Sequence, residues 1–262
     1  MSNYDRNVSA RIGATATRTE AAVDQGLRSY MLRVYNYMTL GLAITGAAAL
    51  GIYMLSVTTD PSQAVGQVAG GIMLTQFGAT LFTSPLKWVV MFAPLAAVFF
   101  LSFRVERMSV SAAQGVFWLY AALVGVSLST IFLVYTHDSI VRVFFITAAS
   151  FGALSLFGYT TQRDLSGMGS FLIMGLFGII IASLVNIFLG STMLQFVISV
   201  VGVLVFAGLT AYDTQRIKEM YFAGDDDVVA GRKAIMGALA LYLDFINLFM
   251  MLLQLFGNRN NS

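Results

Sequence analysis

The sequence predicts an all-α membrane protein with seven transmembrane helices. Of its 262 residues, 58% are hydrophobic and only 11% are charged, whereas a soluble domain has roughly 25% charged residues. Seven separate apolar stretches are each close to the ~20 residues that a helix needs to cross a bilayer. Very few charged residues interrupt these stretches. Together the three observations indicate that lipid is the solvent for most of the chain.

The predicted spans follow one another with mostly short connections, so successive helices should be antiparallel neighbours. The second span contains Pro94 and is expected to kink or tilt. We expect a polar tail over residues 1–31, a transmembrane domain over 32–257 and a short tail over 258–262. The long connection 56–85 is predicted to be an external loop, with a short interfacial segment at 71–74. The spans cover residues 34–55, 86–103, 114–135, 139–159, 167–189, 192–213 and 234–256.

The distribution of Lys and Arg predicts the orientation of the helices, because basic residues favour the cytoplasmic side. A cytoplasmic N-terminus leaves three basic residues outside, which are Lys87, Arg142 and Arg259. It places twelve inside, namely Arg6, Arg11, Arg18, Arg28, Arg33, Arg104, Arg107, Arg163, Arg216, Lys218, Arg232 and Lys233. With seven spans, the C-terminus is then predicted to be external.

Several classes of protein are excluded by residues that the sequence lacks. There are no cysteines, so disulfides, cysteine zinc clusters and a cysteine nucleophile are excluded. The single histidine, His137, lies in a predicted loop, where we expect it to be solvated. No lysine lies in the interior of a predicted span, which excludes a retinal Schiff base. The net charge of +2 is small and its basic residues are scattered, so no nucleic-acid partner is expected.

Two aspartates interrupt the last apolar stretches. Asp244 lies near the centre of the seventh span, within residues 237–256, which have the sequence GALALYLDFINLFMMLLQLF. Asp213 closes the sixth span in GLTAYDTQR. An ionisable group at membrane depth costs on the order of a few kcal/mol and usually has a function. We therefore interpret Asp213 and Asp244 as the candidate functional site.

Sequence spacing leaves the contact between these two carboxyl groups open. In simple antiparallel spans Asp213 lies near one membrane face and Asp244 about 15 Å deeper, from the rise per helical residue. If they do meet, they cannot both ionise cheaply, so one shared proton would bridge them and they would titrate as a unit. Loss of that proton would add a repelling charge inside the bundle. The pair would then be a pH-dependent latch whose open form offers transient oxygen ligands to Ca²⁺.

Each aspartate also has a structural interpretation. Asp213 can form an interfacial ion pair with Arg216, one helical turn later. Asp244 can hydrogen-bond to Asn247 or to a neighbouring helix. Asn186 of the fifth span is expected to make an interhelical hydrogen bond rather than to bind a ligand.

Charged residues near the predicted membrane faces likewise have two interpretations. Arg104 and Arg107 end the second span and can anchor it on the cytoplasmic side. They can also be counter-ions of the aspartate pair, because both lie on the same predicted side. The acidic run at residues 225–227 is expected to be a solvated loop, and its alternative role is to concentrate cations at a pore mouth.

Aspartyl intramembrane proteases also use two aspartates at membrane depth, so a protease is an alternative. Their motifs are Tyr-Asp and Gly-x-Gly-Asp. Only Tyr212-Asp213 matches the first motif, and no Gly-x-Gly-Asp precedes either aspartate. The sequence therefore favours a protein that is not an enzyme.

Three segments resemble the Bax inhibitor-1 (TMBIM, UPF0005) family. Residues 238–249, ALALYLDFINLF, and the following 252–257, LLQLFG, are similar to the C-terminal signature of the family. Residues 206–215, FAGLTAYDTQ, resemble the preceding signature, and 125–129, GVSLS, resemble the motif of the third span. The resemblance covers most of the chain from about Ser29.

The resemblance implies a seven-helix fold with the last helix central, and a pH-sensitive calcium leak. It implies that the sensor is a hydrogen-bonded aspartate pair, which by motif position is Asp213 and Asp244, with either Arg104 or Arg107 nearby. Ca²⁺ would be the permeant ion, and no cofactor is implied. The expected location is a bacterial inner membrane, with the lipid bilayer, Ca²⁺ and protons as partners. The alternative function is a non-conducting regulator that binds other membrane proteins, such as a membrane protease.

Overall fold

Seven long helices dominate the structure. The computed structural model describes residues 3–260, and it describes the side chains of residues 24–68 and 70–260. Over that part of the chain, seven helical segments are long and apolar enough to cross a membrane, which confirms the predicted fold class. The α-helices are α1 (Asn3–Ser56), α2 (Gln76–Thr83), α3 (Leu86–Arg104), α4 (Val110–Leu128), α5 (Ile131–Val134), α6 (His137–Thr160), α7 (Ser166–Leu189), α8 (Thr192–Glu219) and α9 (Asp227–Phe256).

Most helices extend past the ends of the apolar stretches. α8 ends at Glu219 and α9 begins at Asp227, so both are longer than the spans 192–213 and 234–256. His137 is the first residue of α6 rather than a loop residue. The reason is that hydropathy marks where the lipid ends, whereas the backbone hydrogen bonds of a helix continue into the polar region.

The predicted tails extend beyond the part of the chain that is described. α1 already includes the residues of the predicted N-terminal tail from Asn3 onward. Residues 1, 2, 261 and 262 lie outside the described residues, and so do the side chains of 3–23.

α9 is the central helix of the bundle. Its apolar window is 61% buried, while the other spanning helices reach at most 39%. It packs against α1, α4, α6 and α8, whereas α3 packs on α4 and α7 packs on α8 at the periphery. The expectation that the seventh span is central is therefore confirmed. A helix enclosed in this way can carry a polar group at membrane depth without exposing it to lipid.

The two ends of the bundle are distinct. We call the end with the connections 105–109, 161–165 and 220–226 the N-terminal face, because Asp24 at the start of the first span lies there. We call the opposite end the C-terminal face. There Thr136 N donates to Asn258 O at 2.9 Å, which ties the chain after α9 to the start of α6.

The connection 57–85 is partly ordered on the C-terminal face. It contains a three-stranded antiparallel sheet of β1 (Val57–Thr58), β2 (Gly66–Gln67) and β3 (Met73–Leu74), with β3 in the middle. The semi-apolar segment 71–74, predicted to be interfacial, thus supplies the central strand, and its Leu74 is buried. Thr75 Oγ1 accepts from Gly78 N and caps α2.

Glycines allow close contact between spanning helices, as is common where lipid supplies no hydrophobic driving force. The α-carbon of Gly125 in α4 lies against the backbone carbonyl of Thr45 in α1. Gly158 in α6 lies against the carbonyl of Ala211 in α8. A Cβ atom at either position would collide with main chain rather than with a flexible side chain, so both contacts require glycine.

We expect Gly158→Ala to destabilise the protein by about 1–3 kcal/mol, the usual cost of forcing a methyl group into a filled space. The matched control is Gly152→Ala on the same helix, where a Cβ atom would meet open space. Thermal unfolding of the purified protein in detergent measures both. Equal unfolding temperatures for the two variants would contradict the α6–α8 contact.

Candidate functional site

The packing of α8 on α9 brings Asp213 and Asp244 to nearly the same depth. A Cβ atom at Gly237 would lie 3.0 Å from Ile217, and one at Gly202 would lie 2.8 Å from Met251. When the residues between each contact and each aspartate are converted to helical rise, Asp244 lies about 5 Å, or one helical turn, deeper than Asp213. That offset is within reach of two aspartate side chains on tilted helices.

Simple antiparallel spans would place Asp244 much deeper than Asp213. The difference is small in the structure because the ends of α8 and α9 are not level with each other. α9 begins at Asp227, but the end of α8 is level with a later turn of α9. The contact that shows this is the hydrogen bond from Lys233 Nζ to Met220 O at 3.1 Å. The first turn and a half of α9 therefore projects beyond the end of α8. Asp213 is also six residues inside α8, so it lies deeper than the end of its apolar stretch indicates.

The two carboxyl groups face each other. The two side chains lie close enough for each carboxyl group to act on the other. Asp244 is 4% exposed, and no donor among the described residues reaches its buried Oδ2 atom. Since an ionised carboxylate has no proton to donate, a hydrogen bond between these groups requires one proton between them. The structure thus supplies the contact that sequence spacing left open.

The cation that acts on the pair is not one of the two arginines predicted as counter-ions. Arg216, one turn beyond Asp213 on α8, acts electrostatically on Asp213. Arg104 ends α3 and Arg107 ends the next 3-10 turn, and both have exposed side chains. Across the described side chains, neither of them forms an ion pair within 4 Å of a carboxylate. Arg216 likewise forms no ion pair within 4 Å of Asp213 among the described side chains, so its effect on that carboxyl group acts over a longer distance.

Asn247 does not donate the hydrogen bond to Asp244 that the sequence allowed. Its Nδ2 atom donates to Leu243 O at 2.8 Å, within its own helix. On the outer side of α9, the ring of Phe245 packs against Phe144 and Phe151 of α6, with centroids 5.7 and 5.5 Å apart. These rings pack α9 against α6 next to Asp244.

A chain of hydroxyl groups lies beside Asp213. Thr214, its neighbour in α8, is 2.9 Å from Ser155 of α6 through their side-chain oxygens. Ser155 is in turn 2.6 Å from the hydroxyl of Tyr35 in α1. The chain joins three helices around the centre of the bundle. Sequence reasoning missed it, because Ser and Thr are common in membrane helices.

The polar residue Asn186 belongs to a second network, near the C-terminal face. Its Nδ2 atom donates to Gln195 Oε1 at 3.2 Å, which confirms the predicted interhelical hydrogen bond between α7 and α8. Gln195 Nε2 donates to Gln254 Oε1 at 2.5 Å, and Ser199 Oγ donates to the same oxygen at 2.8 Å. This amide network links α8 to α9 about 15 Å from Asp244, by helical rise, and was also missed.

The acidic run on the N-terminal face has structural roles. Asp225 forms an ion pair with Lys233 at 2.6 Å. Asp226 is the N-cap of α9 and accepts from Val229 N at 2.7 Å. Asp227 lies in the first turn of that helix, where a negative charge is favourable. Two of the three carboxylates are thus partly neutralised by contacts within the hairpin.

The aspartate pair alone is not a closed metal site. In the region with described side chains, no three His, Cys, Asp or Glu residues cluster as metal ligands. Ca²⁺ takes six to eight oxygen ligands, more than two carboxyl groups provide. Any contact of a cation with Asp213 and Asp244 must therefore be completed by water or by backbone oxygens.

These features define an integral membrane protein of seven helices with a carboxyl pair in its central hairpin. The chain belongs to the Bax inhibitor-1 family, because the family model described as inhibitor of apoptosis-promoting Bax1 matches residues 27–261. It is 46% identical over 247 residues to an uncharacterised protein of Rickettsia prowazekii, covering 94% of this chain and 97% of that one.

Two further relatives are named as membrane proteins. The inner membrane protein YbhL of Escherichia coli K12 is 46% identical over 237 residues, with 89% of this chain and 93% of the relative covered. A membrane protein of Streptococcus pyogenes is 34% identical over 237 residues, with 90% and 96% covered. Together with the seven apolar helices, these relatives show that this is a membrane protein of the family.

We expect the thermal stability of the protein in detergent to fall as pH rises from acidic to alkaline. A proton shared between the two carboxyl groups would be held in the folded state and released readily by the unfolded chain, so alkaline pH would favour unfolding. Asp244→Asn should flatten this dependence, because the amide supplies the donor at every pH. Glu219→Gln, an exposed acid on the same hairpin, is the control and should keep the wild-type slope. An unchanged slope in Asp244→Asn would contradict a shared proton.

Proposed function

We propose that this protein is a calcium leak channel of the membrane, gated by the proton shared between Asp213 and Asp244. The observation that carries the proposal is the buried Asp244 carboxyl group, whose Oδ2 atom has no donor among the described residues and which faces a second carboxyl group. A protein that only needed to join α8 to α9 could use an asparagine here without the cost of an ionisable group.

The gate is a change in charge at the centre of the α8–α9 hairpin. With the proton in place, the pair carries a single negative charge and a hydrogen bond holds the two helices together. Without it, two negative charges lie within a few ångströms in a medium of low dielectric constant, where repulsion is much stronger than in water. The helices then separate, and the freed oxygens are hard ligands of the kind that Ca²⁺ prefers.

Polar groups lie at three levels along the α8–α9 hairpin, which supports a path there. Gln195, Ser199 and Gln254 lie toward the C-terminal face. The aspartate pair lies at the centre, and the ion pair of Asp225 with Lys233 lies at the N-terminal face. Separation of the two helices would expose oxygen atoms at three levels, so a cation and its water could move between them.

The proposed activity needs neither catalysis nor a resident cofactor. A proton moves on and off a carboxyl pair, and Ca²⁺ passes as the transported ion. We therefore propose a non-enzymatic protein whose ligands are protons and Ca²⁺. A regulator that binds other membrane proteins, such as a membrane protease, remains the alternative if no ion passes.

We place the protein in a bacterial inner membrane, with its N-terminal face in the cytoplasm. One relative is named as an inner membrane protein. The basic residues of the connections, among them Arg104, Arg107 and Arg163, lie on the N-terminal face, and basic residues favour the cytoplasmic side.

Calcium flux into liposomes that contain only the purified protein tests the leak. We expect the flux to rise with pH, because deprotonation opens the latch. In Asp213→Asn and Asp244→Asn the amide holds the hydrogen bond at every pH, so flux should stay low and lose its pH dependence. A calcium indicator inside the liposomes measures the initial rate.

Glu219→Gln is the matched control for the flux measurement, because it also removes one acid from α8 but at an exposed position. Its flux should follow the wild type. Absence of flux in the wild-type protein would exclude the leak and leave the regulator. Unchanged pH dependence in both asparagine variants would leave a leak but exclude this gate. Cleavage of a helical substrate in detergent would instead support an aspartyl protease.

Single cysteines test the orientation, because the natural chain has none. Gly224→Cys lies on the N-terminal face and Asn258→Cys on the C-terminal face. In intact spheroplasts a membrane-impermeant maleimide should label Asn258→Cys and leave Gly224→Cys unlabelled until the membrane is opened. The reverse pattern would overturn the orientation without affecting the fold.

A further inference from the structure

A lateral groove separates α1 from α6 at the outer side of the bundle. Its cavity has a volume of about 1010 Å³, with α1 and α6 as walls and Phe245 of α9 as part of its floor. A second cavity of about 370 Å³ shares Leu42, Gly46, Phe144 and Phe245 with the first and continues toward the C-terminal face. Both walls are membrane-spanning helices, so the groove lies at the depth of the lipid.

Polar groups are confined to one end of this groove. Arg28, Tyr35, Ser155 and Tyr159 line the part nearer to the N-terminal face, whereas the part beyond Met38 is almost entirely apolar. Lys218 adds a second positive charge at the polar end, because its Nζ atom donates to Tyr159 O at 2.9 Å and lies over the Tyr159 ring. The groove is therefore amphipathic along its length, with its cations at one mouth.

Arg28 is exposed at that mouth and forms no ion pair with a described side chain. Where side chains are described, the ion pair that the structure contains joins Lys233 to Asp225, and Arg28 takes part in none. Its long side chain can extend to the interface while its stem covers apolar surface. A cation in this position is complementary to an anionic group at the membrane surface.

The walls leave open space rather than a packed contact. A Cβ atom at Gly46 of α1 or at Gly152 of α6 would meet nothing within 4 Å. A spanning helix about 10–12 Å wide and about 30 Å long has a volume on the order of 2,500 Å³, well above that of the two cavities. Their size is close to that of small-molecule sites, roughly 300–1,000 Å³, so an acyl chain fits better than a partner helix.

We propose that the groove binds an anionic phospholipid of the leaflet at the N-terminal face. Its acyl chains lie between α1 and α6 on the floor formed by Phe245, and its phosphate lies beside Arg28 with Lys218 nearby. Basic pockets between spanning helices bind acidic headgroups in this way. The site does not depend on the proposed leak, since it stands on the shape and charge of the groove alone.

Native mass spectrometry of the full-length protein tests this site. The delipidated protein is mixed with equal amounts of phosphatidylglycerol and phosphatidylcholine that have the same acyl chains. We expect the bound fraction to favour phosphatidylglycerol about fivefold, the effect of one cation near a membrane surface. Arg28→Gln should bring the ratio close to one. Arg33→Gln, an exposed arginine on the same helix that does not line the groove, should leave it unchanged.

A second pair of variants tests the location of the acyl chains. Gly46→Leu combined with Gly152→Leu fills the groove and should reduce binding of both lipids several-fold. Gly178→Leu, at another open glycine on α7, should not. Circular dichroism and gel filtration verify folding of each variant.

Three results would overturn the proposal. The first is equal binding of the two lipids to the wild type. The second is the same ratio of bound phosphatidylglycerol to phosphatidylcholine in Arg28→Gln and Arg33→Gln. The third is undiminished lipid binding when Gly46→Leu and Gly152→Leu are combined. A dimer that dissociates when the groove is filled would instead assign this surface to a second copy of the chain.

Discussion

The structure depends on the burial of the Asp244 carboxyl group at membrane depth. An ionisable group cannot face hydrocarbon without a large free-energy cost, so the helix that carries it must be enclosed. α1, α4, α6 and α8 pack around α9, and the close glycine contacts at Gly125 and Gly158 join them in two pairs, α1 with α4 and α6 with α8. The peripheral helices α3 and α7 complete the bundle from outside. The arrangement of the whole domain thus follows from what one carboxyl group requires.

The enclosure also determines which partner the carboxyl group has. Its own helix offers no donor, since Asn247 bonds to the carbonyl of Leu243. On the α6 side, its neighbour Phe245 packs against the rings of Phe144 and Phe151, which offer no donor. The remaining partner is Asp213 on the adjacent helix. Its carboxyl group can only accept a hydrogen bond unless it carries a proton. A proton shared by the two carboxyl groups would make the stability of the central hairpin depend on pH, which an amide at either position would not do.

Much of the fold could be predicted from the sequence, because lipid demands long apolar helices and hydropathy records them directly. The identity of the aspartate pair was also predictable, since charged residues are so rare in the spans. Their contact was not, because it depends on how far α8 continues past Asp213 and on how far α9 projects beyond Met220. Those extensions are amphiphilic segments that hydropathy assigns to loops. The short sheet around Leu74 and the amide network of Gln195 and Gln254 were missed for a related reason, since isolated polar residues near a membrane face have no distinctive pattern.

The ion pair of Asp225 with Lys233 has a consequence for how the hairpin responds to its surroundings. It lies on the N-terminal face with partly exposed side chains, so dissolved salt screens it within about 10 Å at ordinary ionic strength. The aspartate pair lies deeper and Asp244 is buried, so dissolved salt screens it much less. One hairpin therefore contains two electrostatic contacts at different depths. Ionic strength acts on the outer contact, whereas the proton that we propose for the inner pair would respond to pH, so the two variables would act on different contacts.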